Sequence, residues 1–162
     1  MLKNTGVPTQ ADLEGVTPPA ERMAKGRVAI VECFQEIPCD PCADACSVGA
    51  IRPFEDINHM PEVNPEECTG CALCVPRCPG LAIFVVDFSY AEDLALVAIP
   101  YEFLPVPAPG ETVAALDREG AWVADVRVHK VQNTPSQDRT RVIWLEVPKD
   151  IAMTVRNIRV EV

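Results

Sequence analysis

Eight cysteines lie between Cys33 and Cys78 of this 162-residue chain. Four of them fall in the stretch CTGCALCVPRCPG, residues 68–80, with two, two and three residues between successive cysteines. Thiolate sulfur is a soft ligand that suits iron–sulfur clusters, zinc and copper(I). Three cysteines at this spacing let the backbone curl around one side of a cubane cluster and reach three of its corners. The fourth thiolate must then come from another part of the chain.

The cysteine region contains an internal repeat, because CDPCADACSVGAI (39–51) aligns with CALCVPRCPGLAI (71–83). Three pairs of cysteines are each 32 residues apart: Cys39 and Cys71, Cys42 and Cys74, Cys46 and Cys78. The remaining pair, Cys33 and Cys68, is 35 residues apart. A short repeat with its own ligands indicates duplication around two equivalent sites. Neither half is long enough to bury a core alone, so we expect the halves to pack face to face.

Residues 68–79 match the run C-x2-C-x2-C-x3-C-P, the bacterial ferredoxin signature, in which the last cysteine ligates the other cluster. Over roughly residues 28–86 the chain therefore resembles the two-cluster, bacterial-type 2[4Fe–4S] ferredoxin family. Together with the repeat, the resemblance implies two [4Fe–4S] clusters with crossed ligand sets. Cluster 1 is assigned to Cys33, Cys39, Cys42 and Cys78, and cluster 2 to Cys46, Cys68, Cys71 and Cys74.

Two features depart from the family pattern. Five residues separate Cys33 from Cys39, which is wider than the usual first spacing, and Ser47 stands where a proline is expected after Cys46. The longer loop, FQEIP, can bulge outward without losing the ligand, and Pro38 would stiffen its return. We therefore keep Cys33 in the ligand set.

Zinc ligation and disulfide bonding are the two other uses that the cysteines could have. Two structural zinc sites could also use eight cysteines, but such sites usually join two distant C-x2-C knuckles. Disulfides are disfavoured if the chain works in a reducing compartment.

The net charge of −10 argues against nucleic acid and against anionic membrane surfaces. No apolar run reaches the roughly 18 residues needed to cross a bilayer, and the first residues lack a secretory signal. These features predict a cytoplasmic protein without membrane insertion.

Several residues around the cysteines have predicted supporting roles. Backbone N–H groups near Thr69, Gly70 and Ala72 are expected to bond to cluster sulfurs. Apolar cover for the clusters is expected from Val28, Ile30, Ile51, Val63, Ile83 and Val85. A set of acids forms either a solvated face or a docking surface for a basic partner: Glu32, Glu36, Asp40, Asp44, Glu66 and Glu67. His59 and His129 are interpreted as surface or turn residues, and Trp122 and Trp144 as core or interface residues.

The elements that position these residues divide the chain into three predicted regions. Residues 1–27 form an N-terminal arm with one helical turn near 19–25, residues 28–86 the 2[4Fe–4S] domain, and residues 87–162 a β-rich docking domain. The fold class is α+β, a ferredoxin-like domain followed by a small barrel or sandwich. Prolines in DLALVAIPYEFLPV favour an edge or bend. DREG, residues 117–120, predicts a hairpin connection with Gly120 in the strained position.

The function predicted from these features is electron transfer. The chain has no Gly-rich dinucleotide turn, no phosphate loop and no nucleophile–base arrangement, so its source and sink of electrons are expected to be other proteins. VECFQEIPCDPC with a β-rich tail resembles the small ferredoxin-like proteins that accompany FAD-dependent dehydrogenases in anaerobic bacteria. That resemblance implies a non-catalytic subunit in a hetero-oligomer with flavoprotein partners. The alternatives are an independent soluble ferredoxin with an added domain, and a zinc-binding interaction module.

Overall fold

The computed structural model describes residues 2–161 and consists of four short helices and seven strands. The helices are α1 (Leu2–Thr5), α2 (Gln10–Glu14), α3 (Ala20–Ala24) and α4 (Pro41–Ala45). The strands are β1 (Val28–Val31), β2 (Ile83–Asp87), β3 (Leu94–Tyr101), β4 (Thr112–Leu116), β5 (Trp122–Gln132), β6 (Arg141–Pro148) and β7 (Asn157–Arg159). Three 3-10 turns lie at Val75–Arg77, Pro135–Gln137 and Lys149–Ile151.

All seven strands belong to one antiparallel sheet with the order β1-β2-β3-β6-β5-β4-β7. The sheet is open, and β1 and β7 are its edge strands, so it differs from the barrel or sandwich that the sequence predicts. Strands β1 and β2 flank the cysteine segment, and β2 continues the sheet directly into β3. The cysteine segment and the C-terminal strands therefore share a single sheet.

The two faces of the sheet bury different partners, because successive side chains of a strand point to opposite faces. Val28 and Ile30 pack on one face with the C-terminal core. Ala29 and Val31 lie on the other face, where the cysteine segment packs. The prediction that Val28 and Ile30 cover the clusters is therefore wrong by one residue of register. The remaining predicted cover residues do pack on the cysteine side: Ile51, Val63, Ile83 and Val85.

A buried ion-pair network joins the two ends of the strand order. Glu32, which follows β1, accepts hydrogen bonds from Arg118 at 2.6 and 2.9 Å and from Arg156 at 2.8 Å. Arg118 lies in the β4–β5 turn and Arg156 directly precedes β7. Because these elements lie at the opposite end of the strand order from β1, the sheet must curl strongly. Strand β5 has one extra residue against β4 and another against β6, and such β-bulges contribute to this curvature.

The connecting segments follow several sequence predictions. Gly120 takes a positive φ of 82° in the β4–β5 turn, as DREG predicts. The helical turn predicted near residues 19–25 is α3, although α1 and α2 were not predicted. Pro100 is in the inner strand β3 rather than in an edge strand, where it pairs with Val142 of β6 but lies outside the three β3 residues that pair with β2. Within residues 2–161, no helix has the length and apolar character required to cross a membrane.

Candidate metal centres

The structure gathers the eight cysteines around two separate cavities. The first cavity encloses about 380 Å³, part of it open to solvent, and Cys33, Cys39, Cys42 and Cys78 line it. The second encloses about 370 Å³ and is lined by Cys46, Cys68, Cys71 and Cys74. These are the two sets assigned to clusters 1 and 2, so each cavity takes three cysteines from one half of the repeat and the fourth from the other half. We call them cavity 1 and cavity 2.

The walls of both cavities are largely apolar. Ile37, Pro41 and Phe54 line cavity 1, and Ala29, Ile51 and Val63 line cavity 2. Four soft thiols in an apolar pocket form a donor set that suits an iron–sulfur cubane. Among residues 2–161, no three His, Cys, Asp or Glu side chains converge closely enough to hold a single metal ion.

Matching local structure places the middle cysteines of each half. In the first half Pro41 begins helix α4, which carries Cys42 and ends at Cys46. In the second half Cys74 precedes a 3-10 turn, Val75–Arg77, that ends at Cys78. Proline suits the first positions of a helix, since it lacks only an N–H that would be unpaired there. The internal repeat in the sequence thus corresponds to a repeated turn that presents cysteines at both of its ends.

Backbone N–H groups donate to ligand sulfurs in both cavities. Cys68 Sγ accepts from the Ala29 and Gly70 N–H groups, both at 3.4 Å. Cys46 Sγ accepts from Ile51 at 3.3 Å, and Cys78 Sγ accepts from Ala82 at 3.4 Å. Hydrogen bonds to sulfur stabilise the electron-rich state of a cluster and raise its reduction potential.

Burial and the proximity of the other thiols raise the pKa of a cysteine in each set. Burial, chiefly, and the neighbouring Cys78 raise the pKa of the Cys42 thiol to about 11. Burial raises the pKa of the Cys74 thiol to about 12, with smaller contributions from Cys68, Cys71 and Cys46. These neighbours belong to the same two sets that line the cavities. Since a thiol must lose its proton to ligate a metal, metal binding at these sites releases protons.

The turn at Gly70 brings the second half of the repeat against β1. Gly70 has a φ of 64°, and an added Cβ would collide with Arg27 Cβ. The close approach at Gly70 is therefore to Arg27, the residue that leads into β1. Gly80 is less restricted, because an added Cβ there would lie 3.9 Å from Cys78 Sγ.

The predicted acidic set divides into different roles. Glu32 is excluded from any exposed surface by its buried pairing with Arg118 and Arg156. Burial raises the pKa of Glu32, but the Arg118 hydrogen bonds and the Arg156 charge outweigh burial, so the net pKa is lowered. Glu66 pairs with Lys25, and Glu67 with Arg52. Glu36 and Asp44 are exposed and lie in the chain beside cavity 1 ligands, with Asp40 half-buried.

The remaining residues singled out in the sequence have identifiable positions. Trp144 is buried on the cysteine side of the sheet and donates to Gln132 at 2.6 Å, while Trp122 is exposed. His129 pairs with Glu146 at 3.1 Å, and the exposed His59 lines cavity 1. Sequence reasoning missed Arg22, whose side chain bonds four backbone carbonyls, including that of Cys68. Nothing in the local sequence marks this arginine, because its partners lie up to 46 residues away.

Comparisons with known proteins agree with the cysteine pattern. Residues 37–82 match the family described as a 4Fe–4S dicluster domain. The ferredoxin-type protein NapF of Escherichia coli K12 is 36% identical over 52 residues, which cover 31% of this chain and 32% of NapF. Protein NrfC of Escherichia coli K12 is 36% identical over 58 residues, which cover 34% of this chain and 25% of NrfC. No solved structure matches the chain.

The match defines the class of the cysteine segment. The match of residues 37–82 to a 4Fe–4S dicluster domain agrees with the ferredoxin motif in the sequence and supports a 4Fe–4S ferredoxin-type segment. The chain spans a third or less of the length of the curated relatives it matches. The resemblance therefore applies to the cysteine segment, and it does not extend to the activity or partners of the whole chain.

Proposed function

We propose that this chain is an electron-transfer protein that holds two [4Fe–4S] clusters with crossed ligand sets. The observation that carries the proposal is the pair of cavities, each lined by four cysteines, three from one half of the repeat and one from the other. Cluster 1 is held by Cys33, Cys39, Cys42 and Cys78. Cluster 2 is held by Cys46, Cys68, Cys71 and Cys74.

When bound, each cluster supplies a site that takes up and releases one electron at a time. The chain itself provides the thiolates, the N–H···S bonds and the apolar walls that limit solvent. Burial is uneven: Cys74 is buried, whereas Cys71 is exposed beside Leu73, whose side chain is 53% exposed. Cavity 2 thus has a ligand at the protein surface, which provides a short route to a bound redox partner.

The crossed ligation can be tested with single substitutions. Cys71→Ala should remove the cluster of cavity 2, and Cys42→Ala the cluster of cavity 1. Each variant should retain about four of the about eight irons expected for two cubanes. Retention of all iron by either variant, or the same residual electron paramagnetic resonance (EPR) spectrum from both, would contradict the crossed sets. Cys33→Ala tests the widened spacing, since unchanged iron would show that Cys33 is not a ligand.

We further propose that the chain serves as a subunit of a larger, flavin-dependent oxidoreductase. Large apolar side chains are exposed away from the cavities, with Phe103 at 60%, Leu104 at 77% and Trp122 at 60% exposure. Exposed apolar groups of this size are suited to a protein interface. Exposed acids beside cavity 1, including Glu36 and Asp44, suit a basic partner surface.

Purification of the tagged chain from its native cells under anaerobic conditions tests this context. A flavoprotein should co-purify in fixed ratio, and Leu104→Asp should reduce its recovery while the iron content of the chain stays the same. Elution of the iron-loaded chain alone, with reduction of several unrelated acceptors, would favour an independent ferredoxin. The cytoplasmic location stays a prediction of the sequence.

A further inference from the structure

We propose that Arg22 makes the two clusters unequal by giving cluster 2 the higher reduction potential. The proposal rests on the two-cluster function above and adds a direction to electron movement within the chain. An electron that reaches cluster 1 would pass to cluster 2 and reside there, beside the exposed Cys71. In this step cluster 1 loses one electron and cluster 2 gains one, and no bond or proton is exchanged.

The Arg22 side chain is buried against the cavity 2 ligand loop. It extends from α3, and the residue is only 7% exposed. Its Nη2 donates to the Cys68 carbonyl at 2.5 Å and to the Arg27 carbonyl at 2.8 Å. Its Nε donates to the Pro65 carbonyl at 2.7 Å, and its Nη1 to the Gly26 carbonyl at 3.3 Å. The guanidinium is therefore fixed in one position next to the backbone of a cluster 2 ligand.

Within residues 2–161, no carboxylate forms an ion pair with Arg22. Within the part of the chain that the structure describes, all four of its hydrogen bonds go to neutral carbonyls. Reduction adds one negative charge to a cluster. A fixed, buried positive charge stabilises that reduced state, and burial prevents the solvent screening that weakens surface charges.

Among residues 2–161, cavity 1 has no equivalent buried cation without an acidic partner. Neither lysine nor arginine lines cavity 1 or cavity 2, and the other buried arginine, Arg156, pairs with Glu32. The charged residues near its ligands in sequence include the acids Glu36 and Asp40, and Arg77, which precedes Cys78 but is exposed to solvent. By contrast Lys25 and Arg27 line the same cleft as Arg22 and Cys68, together with the acid Glu66. These two are exposed and pair with acids at 3.6 Å, so the buried Arg22 is the main source of the asymmetry.

The test is a potentiometric titration of the full, cluster-loaded chain, followed by EPR. Arg22→Met should lower the higher of the two reduction steps, shifting the one-electron equilibrium between the clusters about tenfold, or about 59 mV. The lower step should stay in place. Arg22→Lys keeps the charge and should restore most of the shift. Arg159→Met removes the same charge from an exposed position on edge strand β7 and should move neither step.

A second measurement identifies which cluster has the higher potential without changing Arg22. The Cys71→Ala variant retains cluster 1 alone, and its remaining step should coincide with the lower step of the parent chain. Coincidence with the higher step would overturn the proposal, as would equal shifts of both steps in Arg22→Met or a lysine variant that behaves like the methionine variant. A parent chain without iron and sulfide would instead defeat the two-cluster function itself, so the two failures are distinguishable.

Discussion

Replacement of Glu32 by glutamine should destabilise the protein strongly, because it leaves the buried guanidinium of Arg156 and the half-buried one of Arg118 without their counter-charge. The Glu32 side chain is 7% exposed and that of Arg156 is 3% exposed, and they are joined at 2.8 Å. Arg118 adds a second contact to the same carboxylate at 2.6 Å. Removing one partner of a buried ion pair costs about 3–5 kcal/mol. For a chain of this length that corresponds to a fall in melting temperature of about 6–20 °C.

The assay is anaerobic thermal unfolding of the cluster-loaded protein, followed by circular dichroism at a fixed scan rate. Glu66→Gln is the matched control, since its carboxylate is 58% exposed and pairs with Lys25 at 3.6 Å, an arrangement that contributes about 0–1 kcal/mol. A double variant, Glu32→Gln with Arg156→Met, should recover part of the loss because one unpaired charge is removed. Equal melting temperatures for Glu32→Gln and Glu66→Gln would show that the ion pairs of Glu32 with Arg118 and Arg156 do not stabilise the fold.

Two further outcomes are expected, together with a pH dependence for Glu32. Gly70→Ala should destabilise the chain more than Gly120→Ala, because both glycines have positive φ but only the first meets a neighbouring atom; equal melting temperatures would show that the contact with Arg27 is relieved. Removal of iron by a chelator should abolish hydrogen-exchange protection in residues 33–78 before it affects β3 and β6, because metal binding contributes folding free energy; unchanged protection in the cysteine segment would contradict this. The Glu32 pKa is lowered in the folded state, so its contribution is present above the unfolded-state value of about 4.3 and is lost as pH falls through the folded value. The stability gap between the parent and Glu32→Gln should therefore be constant near neutral pH and shrink in acid; a gap that widens in acid would contradict the lowered pKa.

The cysteine spacing predicted which thiols lie close together, while their role as cluster ligands stays a prediction. Ligand spacing reflects short-range backbone geometry, so the repeat and the run at residues 68–79 were sufficient to propose two sets of four thiols. The structure places those sets around two cavities.

Features set by long-range packing were not predicted. The barrel or sandwich expected for residues 87–162 is instead part of one open sheet, because β2 of the cysteine segment pairs with β3. The residue pattern within one strand does not identify the strand with which it pairs. Val28 and Ile30 were assigned to the wrong face because both faces of β1 are apolar and buried, so alternation gave no signal. Glu32 and Arg22 depend on partners distant in sequence, and their roles emerge only from the folded chain.

The most direct test of the account is the iron, acid-labile sulfide and zinc content per chain of protein purified without oxygen. The account predicts about eight iron and about eight sulfide, as two cubane clusters require, with no stoichiometric zinc. About four of each would leave one cavity without a cluster and contradict the two-cluster account. Stoichiometric zinc without sulfide would contradict electron transfer altogether and make the two cavities structural zinc sites.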